Sequence, residues 1–207
     1  MKILRFIRNI ALITFVICLF VSVFYVYKNF FHSTKPDEIV IVDKISDFPY
    51  ELDKSQTPIY QEYYYELKKV LNNDEINYQD YAICLSKLFI TDLFTLSNKV
   101  SRADIGGYEF IYEDYQDDFI EFAKESLYNS VKSNLYGNRD QKLPTVKSVT
   151  INSDDVKQGK FKYEDKIFDV SYQVKCSIEY NEDYGYPSEY FVTLVKDDKL
   201  LKIVQGQ

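Results

Sequence analysis

Val170-Ser171-Tyr172-Gln173-Val174-Lys175-Cys176-Ser177-Ile178-Glu179-Tyr180 alternates apolar and polar side chains without a break. Successive side chains of an extended chain point to opposite faces. Strict alternation over this length therefore marks a strand with one buried and one solvated face. Cys176 falls on the apolar face, where packing explains it. Tyr190 to Lys196 and Lys199 to Gln205 read as two more strands around Asp197-Asp198, a tight hairpin turn. Val146 to Asn152 is a weaker fourth. Gly159 and Gly185 are expected in turns between strands. Short connections favour antiparallel neighbours, so a four-stranded meander is expected.

Upstream the period changes to that of helices. Thr57-Pro58 offers an N-cap followed by proline at the first helical position, opening a helix to about Leu71 that Asn72-Asn73 ends. Asn77 caps a second helix. There Ala82, Leu85, Phe89, Leu93 and Leu96 recur at spacings of three and four and mark one buried face. A third is expected from Asp114 as cap, with Asp117, Asp118 and Glu121 in its first turns, where the helix dipole favours carboxylates. Phe119, Ile120, Ala123, Leu127 and Val131 form its apolar side, and Gly137 is its expected stop. Helices followed by strands give an α+β domain over residues 58–207, with about three helices on one face of the sheet.

Ile10 to Tyr27 is an 18-residue stretch without a charge. As a helix it would reach about 27 Å, close to the hydrocarbon thickness of a bilayer. Lys2, Arg5 and Arg8 precede it, and Tyr25 and Tyr27 stand at its far end, where amphipathic rings favour the interface. Retention of positive charge inside predicts a cytoplasmic tail (residues 1–9), a transmembrane helix (10–27), a polar tether (28–57) and the α+β domain outside the cell membrane. The bulky residues from Val23 to Phe31 argue against a cleaved signal peptide, which needs small residues at its cut. Within the tether the one apolar run, Ile39 to Val42, is short enough to pair at a sheet edge or pack against a neighbour.

The chain has 207 residues, 46% hydrophobic and 17% aromatic, too apolar for a disordered protein. Plentiful Tyr, Asn, Ile and Lys with no Trp fit an AT-rich bacterial genome. With Lys2, Arg5 and Arg8 set aside, 22 basic residues face 32 acidic ones, a net of −10. Phosphate backbones favour the opposite balance, which argues against nucleic acid as a partner. The cysteines, Cys18, Cys84 and Cys176, show no metal-binding spacing, and a Cys84–Cys176 disulfide stays open. The single histidine, His32, stands beside the apolar segment, so the domain has no Ser-His-Asp triad, Cys-His pair or histidine-rich zinc site.

Among candidates for chemistry, Asp92 stands out. It falls within the apolar stripe of the second helix, about 40° from its centre. A carboxylate there is desolvated, and its pKa rises unless it is paired. One reading makes it a pocket base assisted by a tyrosine hydroxyl. The other has it satisfied by Arg102, a tyrosine hydroxyl or loop amides, and is favoured. Gly106-Gly107 lacks the lysine and third glycine of a phosphate loop and reads as a turn. Asp114, Asp117, Asp118, Asp154 and Asp155 lack calcium-loop spacing and read as solvated or capping carboxylates. Tyr63-Tyr64-Tyr65 covers too many helix faces for one core, so one ring is expected exposed or at an interface. No motif calls for a cofactor or a metal.

The segment Ile10 to Tyr27, the helix Tyr78 to Leu96 followed by Asp104-Ile105-Gly106-Gly107, and the strands after Val146 occur in a recognisable order. That order is similar to the cone-shaped fold of ketosteroid isomerases and nuclear transport factor 2, with a curved sheet. With the anchor it resembles the bitopic inner-membrane assembly subunits of type IV secretion and conjugation machines. The resemblance is one of architecture, and no functional residue carries over. It implies a non-enzymatic contact module that meets membrane or envelope proteins, with self-association open. A small-ligand-binding or sensing module is the alternative, and an isomerase-like enzyme comes third.

Overall fold

The computed structural model describes Thr14 and residues 17–24, 40–163 and 165–207. The chain divides into two compact units, residues 1–38 with 135–138, and residues 39–134 with 139–207. In the first, residues 17–24 are helical and expose Phe20, Val21 and Phe24. Half of the transmembrane helix expected over 10–27 lies outside the described residues, and so does His32. Among the described residues no helix is long and apolar enough to cross a membrane.

The second unit is α+β. It opens with a hairpin of β1 (Ile41–Lys44) and β2 (Glu51–Asp53), followed by α1 (Pro58–Leu71) and α2 (Tyr78–Phe94). Two 3-10 turns, Tyr108–Phe110 and Glu113–Tyr115, lead into α3 (Gln116–Glu125). Then come β3 (Val146–Thr150), β4 (Val156–Tyr163), β5 (Lys166–Tyr180), β6 (Glu189–Asp197) and β7 (Leu200–Gly206). These last five form one antiparallel sheet in which β5 pairs with β6, β6 with β7, and both β3 and β4 with β5.

The alternation read from β5 is realised from Tyr172 to Glu179, whereas Ser171, expected on the solvated face, is buried. Tyr172, Val174, Cys176 and Ile178 are buried, and Gln173, Ser177 and Glu179 are exposed. The sheet has one strand more than the expected four, because β4 pairs with β5 from Val156↔Val174 to Tyr163↔Lys166. Gly159 therefore sits inside a strand rather than in a turn, and its carbonyl accepts from the Ser171 hydroxyl at 3.0 Å. Between β3 and β4 the chain breaks at a 3-10 turn, where Asp155 accepts from the Asn152 backbone amide at 3.1 Å. The Asn152 side-chain amide, which donates to the same carboxylate at 2.8 Å, and after it that backbone amide hold the Asp155 carboxyl below the usual carboxylate range. Lys157, Lys160 and Lys162 line β4, and charge of this kind discourages further strands from adding at an edge.

The α1 helix starts and stops where its sequence signals stand. Thr57 accepts from the Tyr60 amide, Pro58 is the first helical residue, and Asn72 is the C-cap. Its partner α2 is buried on almost every side, not on one stripe: Cys84, Leu88 and Ile90 are as inaccessible as Leu85 and Phe89. It packs on α1 on one side and on β3, β5 and β7 on the other. Tyr63 ties the layers together, its hydroxyl accepting from the Val149 amide at 2.8 Å and donating to the Val149 carbonyl at 3.3 Å.

The third helix departs most from expectation. It is capped by Tyr115 rather than Asp114 and ends at Glu125, well before Gly137. Tyr128 is responsible: its ring is fully buried, its amide donates back to the Ala123 carbonyl at 2.9 Å, and its hydroxyl is anchored beneath α2. A side chain tied into the core sets the path of the chain here, and the helical spacing of Leu127 and Val131 yields to it.

Part of the stretch expected as tether is also domain. Ile45, Phe48, Tyr50 and Leu52 of the first hairpin are buried in the common core. Lys68 of α1 clamps it through Asp43 at 2.6 Å, and this ion pair holds the Asp43 carboxyl below the usual range. Cys84 and Cys176 are free, buried thiols, both pushed up to about 12 by burial. At that value they carry almost no thiolate and act as small apolar side chains.

Candidate functional site

The end of α2 and the loop after it bring together the polar groups of the interior. Asp92 is 6% exposed, and so is Lys99. The Lys99 ammonium donates to one Asp92 oxygen at 2.6 Å, and the Gly107 amide donates to the other at 2.7 Å. Beside them the Tyr128 hydroxyl accepts from the Gly106 amide at 3.0 Å and donates to the Leu93 carbonyl at 2.8 Å. Arg139 completes the clamp by donating to the carbonyls of Lys99 at 2.8 Å and Ser97 at 2.7 Å.

Both glycines are needed for this approach. A Cβ on Gly106 would lie 2.2 Å from the Asp92 carbonyl oxygen and 2.7 Å from the Lys99 nitrogen. Gly107 has φ +78, and a Cβ there would lie 2.7 Å from the Phe89 ring. The Gly106-Gly107 turn thus lets a loop backbone lie directly on a helix end, where Asp92 reads its amide. Asp92 is paired with Lys99 and a loop amide rather than with Arg102, which is exposed. With each oxygen engaged and almost no exposure, Asp92 is arranged to fix the loop.

Glu109 lies two residues past Gly107, in the 3-10 turn Tyr108–Phe110. Desolvation first, and then the Asp92 charge, push its carboxyl up to about 7, although the residue keeps an exposed surface. It lines a pocket of about 30 Å³ with Glu51, Tyr50, Tyr60, Tyr64 and Phe110. Such a volume holds water, whereas small-molecule sites run to roughly 300–1,000 Å³. Asp92 is not among the lining residues. A carboxyl that titrates near neutrality beside a tyrosine can exchange protons, but this pocket has no room for a substrate beside it.

The raised value fixes a pH dependence. A carboxyl whose pKa is higher folded than unfolded makes the folded state bind more protons between the two values. Stability therefore falls as pH rises from the ordinary carboxylate range through about 7. Glu109→Gln is expected to flatten that part of the profile and to stabilise the protein at pH 8. Solvent screening limits the gain to at most about 1 kcal/mol. Denaturant unfolding of both proteins at pH 5 and pH 8 checks this. A profile unchanged by the substitution would contradict it.

The three consecutive tyrosines separate as their helix positions dictate. Tyr63 and Tyr64 are buried, and the Tyr64 hydroxyl donates to the Tyr50 carbonyl at 3.4 Å. Tyr65 is 51% exposed and packs edge-on against Tyr64. Tyr108, Phe122 and Phe191 are other large exposed rings. Asp117, Asp118 and Asp154 are exposed, and Asp114 pairs with Lys166. Among the described residues no three His, Cys, Asp or Glu side chains are grouped to hold a metal ion.

Lys99, Glu109, Tyr60 and Tyr128 were not legible as a group. They come from four separate segments, and only the tertiary fold assembles them. The one local hint was Asp92 itself, since a carboxylate in an apolar stripe requires partners from elsewhere. Compared with known proteins, the chain matches no family model, no curated protein and no solved structure.

Proposed function

We propose that the chain is a membrane-anchored extracytoplasmic interaction protein. Residues 1–9 remain in the cytoplasm, residues 10–27 cross the membrane, and the α+β domain meets envelope or membrane proteins outside, other copies of itself included. The uncharged stretch from Ile10 to Tyr27 and the basic residues before it support the anchor. The interaction reading is carried by a polar interior engaged in holding the fold, combined with exposed aromatic rings at Tyr65, Tyr108, Phe122 and Phe191. Tyrosine and phenylalanine are enriched where proteins meet. The order of elements, similar to the cone-shaped contact domains of conjugation and secretion machines, makes an assembly subunit of that kind the most concrete form of the proposal. An isomerase-like enzyme has less support, because Asp92 has both oxygens engaged.

A photoreactive benzoylphenylalanine in place of Tyr65 tests the interaction face in living cells. We expect a discrete crosslinked product from position 65 and none from Lys162 on the β4 edge. The absence of any product at Tyr65, Phe122 and Phe191 alike would contradict the proposal.

A further inference from the structure

Leu135-Tyr136-Gly137-Asn138 forms an uncharged loop tip between two fixed points. On one side the Asn134 amide donates to the Val100 carbonyl at 2.7 Å. On the other the Arg139 amide donates to the Asn134 side-chain oxygen at 3.0 Å, so the two feet are tied to each other. The Arg139 guanidinium donates further to the carbonyls of Ser97, Lys99 and Lys132. Gly137, at φ +67, supplies the left-handed residue with which so short a tip turns back. On this firm base Leu135 is 58% and Tyr136 57% exposed.

Three observations point to what covers them. The four tip residues fall in the compact unit of the amino-terminal segment, residues 1–38, whereas Asn134 and Arg139 on either side fall in that of the α+β domain. The amino-terminal segment carries the uncharged stretch Ile10 to Tyr27 and exposes Phe20, Val21 and Phe24. A leucine beside a tyrosine joins an apolar side chain to an amphipathic ring, a pairing suited to the boundary between lipid and water. The charge around the tip also runs against that of the domain. From 132 to 142 Lys132, Arg139 and Lys142 stand against Asp140 alone, in a chain where acids outnumber bases 32 to 25. Lys132 and Lys142 are exposed, and lysines beside a bilayer are drawn to anionic headgroups.

We propose that the 135–138 tip seats Leu135 and Tyr136 in the headgroup region of the bilayer, as a second membrane contact beside the anchor. The inference rests on the anchor reading and adds to it a lipid contact made by the folded chain itself. Leu135 enters the boundary between headgroups and acyl chains. The Tyr136 ring lies across that boundary with its hydroxyl toward water, and Lys132 and Lys142 reach the phosphates. Because Asn134 and Arg139 fix both feet, the contact orients the domain on the membrane.

The chain contains no tryptophan, so a single introduced indole reports alone. Full-length Tyr136→Trp, Phe20→Trp and Phe191→Trp proteins are reconstituted in vesicles of phosphatidylcholine and phosphatidylglycerol. Each is measured with and without bromine on the acyl chains near the headgroup, since bromine quenches indole on contact. We expect Tyr136→Trp to lose emission in the brominated vesicles and to emit at shorter wavelength than Phe191→Trp, which keeps its emission. Phe20→Trp tests the anchor separately. Quenching at position 20 without quenching at 136 overturns the proposal and leaves the anchor standing. Quenching at neither position overturns both. Equal quenching at 136 and 191 also overturns it, because the tip is then not the point of contact.

Discussion

Replacing Asp92 by Leu is expected to destabilise the domain by about 3–5 kcal/mol, because the Lys99 ammonium would be left buried without its counter-charge. Single domains are stable by only about 5–15 kcal/mol, so the variant should unfold at a much lower denaturant concentration or fail to accumulate. Lys99→Met should cost a similar amount for the mirror reason. The double variant Asp92→Leu/Lys99→Met separates the causes. Apolar side chains of similar volume commonly replace a buried ion pair at little cost. What remains is the Gly107 amide, stripped of its acceptor, at about 1–3 kcal/mol. The double variant should therefore be more stable than either single one. If the two losses simply add, the pair is not coupled and this account of the interior is wrong.

Gly106→Ala should do comparable damage by another route. The added methyl would stand 2.2 Å from the Asp92 carbonyl oxygen, and backbone cannot yield as a side-chain tip can. Relief requires the loop to lift off the helix, breaking the Gly106–Tyr128 and Gly107–Asp92 hydrogen bonds together. Overpacking alone costs about 1–3 kcal/mol, and the lost bonds add to it. Thermal unfolding of the purified variant checks this. The control is Gly159→Ala, where an added Cβ meets nothing within 4 Å, and it should change stability little. Equal melting temperatures for the two variants would contradict the close approach.

The elements readable from sequence are those whose local signals agree with their burial. The β5 alternation was legible because one face of that strand is solvated along Gln173 to Glu179. The limits of α1 were legible because Thr57 and Pro58 act within one turn. By contrast, β4 was hidden: Val156 to Tyr163 is an edge strand rich in lysine, with a glycine inside, and only Phe161 and Tyr163 at its end alternate with polar residues. The end of α3 depends on Tyr128, whose anchor on Leu93 comes from 35 residues away in the chain. The first hairpin was only half visible. The apolar run at Ile39 to Val42 could be seen to pair, but not that Phe48, Tyr50 and Leu52 would join the core.

The site shows the same division. Asp92 was legible as an anomaly, because a carboxylate on an apolar stripe is costly wherever the helix is placed. Its partner was not, since Lys99 follows the helix end at Phe94 and returns through a turn. For Glu109 there was no signal at all. It is one acid among 32, and only the tertiary fold, by desolvating it first and then setting it near the Asp92 charge, raises its carboxyl to about 7. Of the three tyrosines, the exposure of one ring followed from helix geometry, while the packing that buries Tyr63 and Tyr64 required β3 and the first hairpin to be in place.

The central claim, an anchored domain that works by contacting other proteins, is tested most directly by chemical crosslinking in native membranes. The protein is then purified through a carboxyl-terminal tag and its partners are identified by mass spectrometry. The account expects the chain in the membrane fraction, recovered with defined membrane or envelope proteins, or with itself, in fixed ratio. Recovery of the uncrosslinked chain alone, or from the soluble fraction, would contradict it.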